Sequence, residues 1–241
     1  MSKRHGIKAG YVPNRRNVTL DAVSGDTYWH DERIRASESY QFPVDAYAAR
    51  LARRHRASCI VDIGCGTGRK LRTLHEAVPD ARIIGIDQPP AIDFCRREYD
   101  FGDWVVADLE SPGPPPAGVT ADLIVCSDVI EHLLDPDALL AYITAMSNDE
   151  TLTVLSTPEW DRLRGPDSLS PGNSQHIREW NRAELGAYLD QSGFEVVSHI
   201  LQLPVRIAPD WIFLNQVAKR AVRCQPVRTN QACLLKRAAA G

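Results

Sequence analysis

Apolar positions follow two rhythms along this chain. Short unbroken runs at 59–63, 82–87, 104–108, 121–127 and 151–156 have the length and composition of buried strands. Between them lie stretches at helical spacing. Leu71, Leu74 and Val78 form one, and Phe94 and Cys95 continue another that Pro89 and Pro90 open. A third runs from Pro136 to about Met146 behind the capping residue Asp135. Strand and helix alternate throughout, which predicts an α/β fold with a doubly wound, mostly parallel sheet and right-handed crossovers. Apolar runs at 194–203 and 231–236 bring the strands to seven.

The connections differ in character. Residues 157–175 are rich in Pro, Gly, Ser and Asp and read as one long loop, a kind that is often functional. Asn181 then caps a helix with Glu184 at its third position, and Gly193 stops it. Trp211, Ile212, Phe213, Leu214 and Val217 give the insertion at 204–228 helical spacing. It reads as a helical cap near the substrate mouth or as a contact surface for a second subunit, which would make a homodimer. Residues 1–25 are polar and aperiodic and read as a mobile arm or a loosely docked lead-in. Tyr28, Trp29, Ile34, Tyr40 and Phe42 then cluster, and Tyr47, Leu51 and Arg54 continue as a helix. The organisation expected is an N-terminal arm with lid helices over 1–56 and a core over 57–241.

At 241 residues, 44% hydrophobic and 24% charged, the chain suits one globular domain. A net charge of -3 gives no basic excess for nucleic-acid binding. None of the six cysteines forms a C-x-x-C pair or has a His partner at zinc-finger spacing, so reduced thiols and a cytoplasmic location are expected. No signal peptide or membrane-spanning run is apparent.

The chemistry concentrates at Ile-Val-Asp-Ile-Gly-Cys-Gly-Thr-Gly, residues 60–68. Gly64, Gly66 and Gly68 allow a tight turn and a close ligand approach around Cys65, and a helix N-terminus follows. Asp62 stands just before the turn, where a dinucleotide's pyrophosphate would be repelled. Position 69 is Arg, so the G-x-G-x-x-G spacing is not met. A ligand with a positive end and no phosphate fits better. Asp87 ends the second run about twenty residues after the loop and is placed to accept hydrogen bonds from ribose hydroxyls, with Gln88 beside it.

The pattern Asp62-x-Gly64-x-Gly66-x-Gly68 closely resembles the nucleotide loop of class I S-adenosylmethionine (SAM)-dependent methyltransferases. That resemblance implies SAM as cofactor and an antiparallel hairpin of the last two strands at the sheet edge. It implies that Asp108 and Leu109 contact the adenine, and that Ser127 and Asp128 lie in a segment passing the methionine part. The stretch Asn173-x-x-His176-x-Arg178-Glu179-Trp180 resembles one found in methyltransferases of sugars, glycans and natural products. The expected reaction is transfer of a methyl group to a small-molecule acceptor, at the oxygen of a sugar, glycan or natural-product hydroxyl. N- or C-methylation and a catalytically inactive scaffold protein are the alternatives. An oxygen acceptor has to lose its proton, and His176 and His132 are the candidate bases. Asp128, Glu131 and His132 stand close in sequence, but cofactor contact and a helix start account for them, and no metal site is assigned.

Overall fold

In the computed structural model of the chain, residues 4–15, 40–205 and 211–238 are described. The strands are β1 (Cys59–Ile63), β2 (Arg82–Asp87), β3 (Asp103–Val106), β4 (Leu123–Ser127), β5 (Leu152–Pro158), β6 (Phe194–Gln202) and β7 (Asn230–Arg237). They form one seven-stranded sheet in the order β3-β2-β1-β4-β5-β7-β6. β1 to β5 pair in parallel, and β7 runs antiparallel to both β5 and β6. β1, β2 and β4 are buried along almost their whole length, which explains unbroken apolar runs rather than alternation. β3 ends at Val106, so Asp108 lies beyond it in a turn.

Helices cover both faces. On one side α1 (Phe42–His55), α2 (Leu71–Ala77) and α3 (Pro89–Glu98) place Val44, Ala48, Leu71, Leu74 and Ile92 against Ile60, Ile83 and Leu123. Residues 42–55, which by pattern belong with the N-terminal arm, thus pack into the core beneath the sheet. On the other side α4 (Pro136–Ala145) and α6 (Arg182–Gln191) place Leu139, Leu140, Ile143, Leu185 and Leu189 against Val61, Ile63, Ile84 and Ile124. The Asp135 side chain accepts from the Asp137 N–H, and Asn181 and Glu184 complete a reciprocal capping box.

One connection departs from the sequence expectations. The 157–175 connection contains a short helix, α5 (Trp160–Arg164), whose buried Trp160 anchors it to the body. The described part of the arm, residues 4–15, is docked. The His5 carbonyl accepts from Trp180 Nε1–H at 2.8 Å, and the Tyr11 hydroxyl accepts from the Glu179 N–H at 2.9 Å. Tyr28, Trp29 and Ile34, expected in the lid, lie outside the described residues. The insertion is helical as α7 (Trp211–Val222), with Trp211 and Leu214 exposed. Among the described residues no helix is long and apolar enough to cross a membrane.

Candidate active site

A cavity of about 700 Å³ opens at the carboxyl ends of the parallel strands. That volume falls in the range of small-molecule sites. Its floor at one end is the turn between β1 and α2. Gly64, Gly66 and Gly68 adopt φ of 79°, 56° and 67°, which side chains with a Cβ resist. The Gly64 and Cys65 N–H groups donate to the Ile86 carbonyl at 2.8 and 3.2 Å and clamp the turn to β2. A Cβ on Gly64 would collide with a Val129 methyl, so the close approach of two loops also requires glycine there.

Asp87 stands at the end of β2 with its carboxylate on the cavity wall. One oxygen accepts from the Gly66 N–H and the other from the Gln88 N–H, each at 2.7 Å. Burial pushes its pKa up, against those two hydrogen bonds. Leu109 and Gln88 continue this wall.

Beneath the turn lies a buried charge cluster. Lys70 Nζ is 3.4 Å from the Asp45 carboxylate. Burial opposes the Lys70 charge, but Asp45, Asp62 and Asp128 outweigh it and hold Lys70 above its ordinary value. Burial, then the neighbouring Asp45, pushes Asp62 up to about 8 in spite of Lys70. Burial likewise pushes Asp128 up to about 6, with Lys70 and His176 pulling against it. Three carboxylates thus share one ammonium, and the group is short of positive charge on the cavity side. That is the environment a ligand with a sulfonium and an ammonium stabilises. The donor set fits SAM: Asp87 for hydroxyls, apolar Leu109 for a flat ring, and the Asp62, Asp128 and Lys70 cluster for the cationic end.

The sequence candidates distribute as follows. Gly64, Cys65, Gly66, Asp87, Gln88, Leu109, Ser127, Asp128, His132 and His176 all line this cavity. Asp62, Gly68 and Asp108 do not. Asp62 is 5% exposed and sits under the turn. Gly68 packs against Trp104, Tyr99 and Cys95. Asp108 turns away and accepts from the Glu110 N–H at 3.0 Å, closing the turn after β3.

Residues 28–199 match the family model described as a methyltransferase domain. This chain belongs to the class I SAM-dependent methyltransferases. A probable SAM-dependent methyltransferase from Mycolicibacterium smegmatis is 31% identical over 187 residues, 77% of this chain and 66% of that protein. The trans-aconitate 2-methyltransferase of Escherichia coli is 31% identical over 101 residues, 42% of this chain and 39% of the enzyme. The chain thus spans less than two thirds of the length of these curated relatives. Among solved structures, the plantazolicin methyltransferase in complex with a substrate analogue and S-adenosylhomocysteine (SAH) superposes with a TM-score of 0.59 at 16% identity, over 92% of this chain and 94% of the other. The mitomycin 7-O-methyltransferase superposes with a TM-score of 0.55 at 17% identity, over 98% of this chain and 66% of the other. At such identities these two structures support the fold.

At the far end of the methyltransferase cavity stand two imidazoles. The His132 and His176 rings meet edge to face with centroids 4.9 Å apart. His132 Nδ1 lies 2.8 Å from the Gln175 carbonyl oxygen, which only accepts, so the ring proton is on Nδ1 and the lone pair on Nε2. His176 Nδ1 lies 2.6 Å from Glu179 Oε1, and its Nε2 lies 2.8 Å from the Asn173 amide nitrogen. Asn173 Oδ1 accepts from the Gln175 N–H, which fixes the amide orientation and makes His176 Nε2 the acceptor. Glu179 is fully buried and also paired with Arg164 at 3.0 Å. Burial would raise its pKa, but the bonds from His176 and Arg164 outweigh burial and hold it below its ordinary value.

The sequence gives no role to several residues of this site. Lys70 follows the glycine turn but carries no motif. Asn173, Glu179 and Arg164 act by orienting His176, a role visible only once the loop is folded. Glu131 was noted in sequence, without a role. Its carboxyl is completely buried, and its backbone carbonyl accepts from the Ile177 N–H at 2.7 Å, pinning the His176 segment to the end of β4.

Proposed function

We propose that this protein transfers a methyl group from SAM to the hydroxyl oxygen of a small-molecule acceptor. The observation that carries the reading is the continuity of one cavity from Asp87 and the glycine turn to the paired rings of His132 and His176. Bound SAM supplies an electrophilic methyl group whose leaving group is a neutral thioether. Asp87 and Gln88 serve the ribose end, and Leu109 serves the base. The Asp62, Asp128 and Lys70 cluster favours the cationic end. The residues on the acceptor side hold the hydroxyl in line with the methyl carbon, which contributes most of such a reaction's acceleration. The two imidazoles act on the hydroxyl proton, and Glu179 and Gln175 fix their tautomers. Lys219 and Arg220 from α7, with Arg223 just after it, line the outer mouth, so the acceptor that fits best also carries a carboxylate or phosphate.

Two measurements test this. Titration with SAH by calorimetry is expected to give micromolar binding, about -8 kcal/mol. A screen of hydroxylated acceptors with isotope-labelled methyl-SAM is then expected to label anionic, hydroxyl-bearing compounds. Label appearing on amines or carbon, with hydroxyls untouched, would replace the oxygen assignment.

A further inference from the structure

We propose that Glu131, His132 and His176 bind a divalent transition-metal ion, which takes the acceptor oxygen as a further ligand. One donor atom from each of the three residues lies within 4.8 Å of the others. Ligand atoms around a common ion at about 2.1 Å stand roughly 3.3 Å apart, so shifts of about 1 Å close the set.

Three features mark this group as built for an ion. First, Glu131 is 0% exposed, and its Oε1 is buried with no hydrogen-bond partner, while Oε2 accepts from the Thr157 hydroxyl at 3.0 Å. An orphaned carboxylate oxygen at full burial is costly unless a cation meets it. Second, each imidazole is held from behind. His132 Nδ1–H donates to the Gln175 carbonyl and His176 Nδ1–H to the Glu179 carboxylate, which makes Nε2 the lone-pair nitrogen of each ring. Metal-binding histidines show this arrangement of a second nitrogen tied to a carbonyl or carboxylate. Third, the elements are stapled together by the Ile177 and Arg178 N–H groups on the Glu131 carbonyl, at 2.7 and 3.3 Å. The Asn173 amide N–H now sits on His176 Nε2, and the ion would take its place.

Two imidazoles and one carboxylate suit Mn²⁺, Fe²⁺, Co²⁺ or Zn²⁺ better than Mg²⁺, and three protein ligands leave positions open for oxygen. A second cluster, His5 with Asp135 and Asp137, lacks a buried carboxylate. Both its carboxylates are exposed, and Asp135 already caps α4.

The site stands on its own geometry, whereas its role rests on the methyl-transfer reading above. In that role the ion acidifies the acceptor hydroxyl, whose proton leaves to solvent. The oxygen lone pair then forms the C–O bond as the methyl carbon–sulfur bond breaks, and that electron pair stays on sulfur as neutral SAH. The two imidazoles would then act on the hydroxyl proton through the ion they hold.

The full chain, stripped with a chelator and dialysed, is titrated with Co²⁺ by calorimetry and visible absorption. The same titration is made on Glu131→Gln, His132→Gln and, as a control, Asp135→Asn, each first shown to bind SAH. The expected result is one Co²⁺ per wild-type and Asp135→Asn chain, with affinity at least tenfold weaker in the other two. Absent binding in the wild type, or unchanged binding in Glu131→Gln and His132→Gln, overturns the site. Methyl transfer is then compared in chelator and in Mn²⁺. Metal binding without any transfer leaves the site and removes the methyl-transfer reading. Full-rate transfer in chelator removes the ion's role in the reaction.

Discussion

Lys70 Nζ lies 3.4 Å from the Asp45 carboxylate, and this contact joins helix α1 to the glycine turn. Asp45 is held in the core by its neighbours Val44 and Ala48, and Lys70 begins the turn into α2. The pair therefore couples packing beneath the sheet to the shape of the cofactor loop. Breaking a buried pair leaves its partner uncompensated, at a cost of about 3 kcal/mol. Lys70→Met is expected to lose that much stability at pH 8 in urea unfolding. The loss should shrink at pH 5, where Asp62 and Asp128 take up protons. An equal loss at both pH values would show that packing, not charge, is what Lys70 provides.

Asp62 is expected to set a pH dependence of cofactor binding. Its pKa stands near 8 in the free protein because burial and Asp45 disfavour its charge. A cationic ligand favours the charged form, so binding releases a proton and affinity rises with pH up to about 8. SAM, which carries the sulfonium charge, should show a steeper rise than SAH. Calorimetry in two buffers of different ionisation enthalpy measures the proton release directly.

The same group affects stability with the opposite sense. A folded pKa above the unfolded value means that the native state holds the extra proton. Stability therefore falls as pH rises from the ordinary carboxyl range through about 8. Asp62→Asn removes that fall, and the free variant is expected to be more stable than wild type at pH 9. It should bind SAM more weakly. Thermal melts with and without SAM separate the two effects.

Gly64 carries both a left-handed φ of 79° and a collision between any Cβ and Val129. Gly64→Ala is expected to destabilise by about 2–4 kcal/mol, combining overpacking with backbone strain. Adding Val129→Ala should recover the steric part and leave about 1 kcal/mol of φ strain. A double variant no better than the single one would place the whole cost in the backbone.

Glu179 orients His176 from 2.6 Å and does not line the cavity. Glu179→Gln keeps the shape but removes the charge that fixes the imidazole and holds Arg164. Turnover is expected to fall roughly 10–100-fold, as when an outer partner of a site histidine is lost. SAH affinity should stay unchanged, which calorimetry checks. An equal loss of SAH binding would mean that the loop as a whole had moved.

Much of the fold was legible because its signals are local. The run 59–63 and the glycines after it declare strand, turn and ligand approach within ten residues. Pro136 behind Asp135, and Glu184 behind Asn181, mark helix starts to the residue. Strand ends were read less well. The run 104–108 gives a strand that stops at Val106, because β3 is the sheet edge and Asp108 is drawn off to bond Glu110. The short helix at Trp160–Arg164 was hidden in a loop composition, since one buried Trp rather than a periodic face holds it.

The sequence by itself determined the alternating architecture, the glycine turn, the acid at the end of β2 and the presence of two candidate histidines. Each depends on residues near one another in the chain, where spacing is geometry. Tertiary structure alone decided that His132 and His176, forty-four positions apart, share an edge-to-face contact, and that Glu131 lies beneath them with an oxygen unpaired. It also decided that Asp62 lies below the turn while Asp128 faces the cavity. Burial and neighbouring charge fix such roles, and both come from chain segments that sequence spacing does not connect.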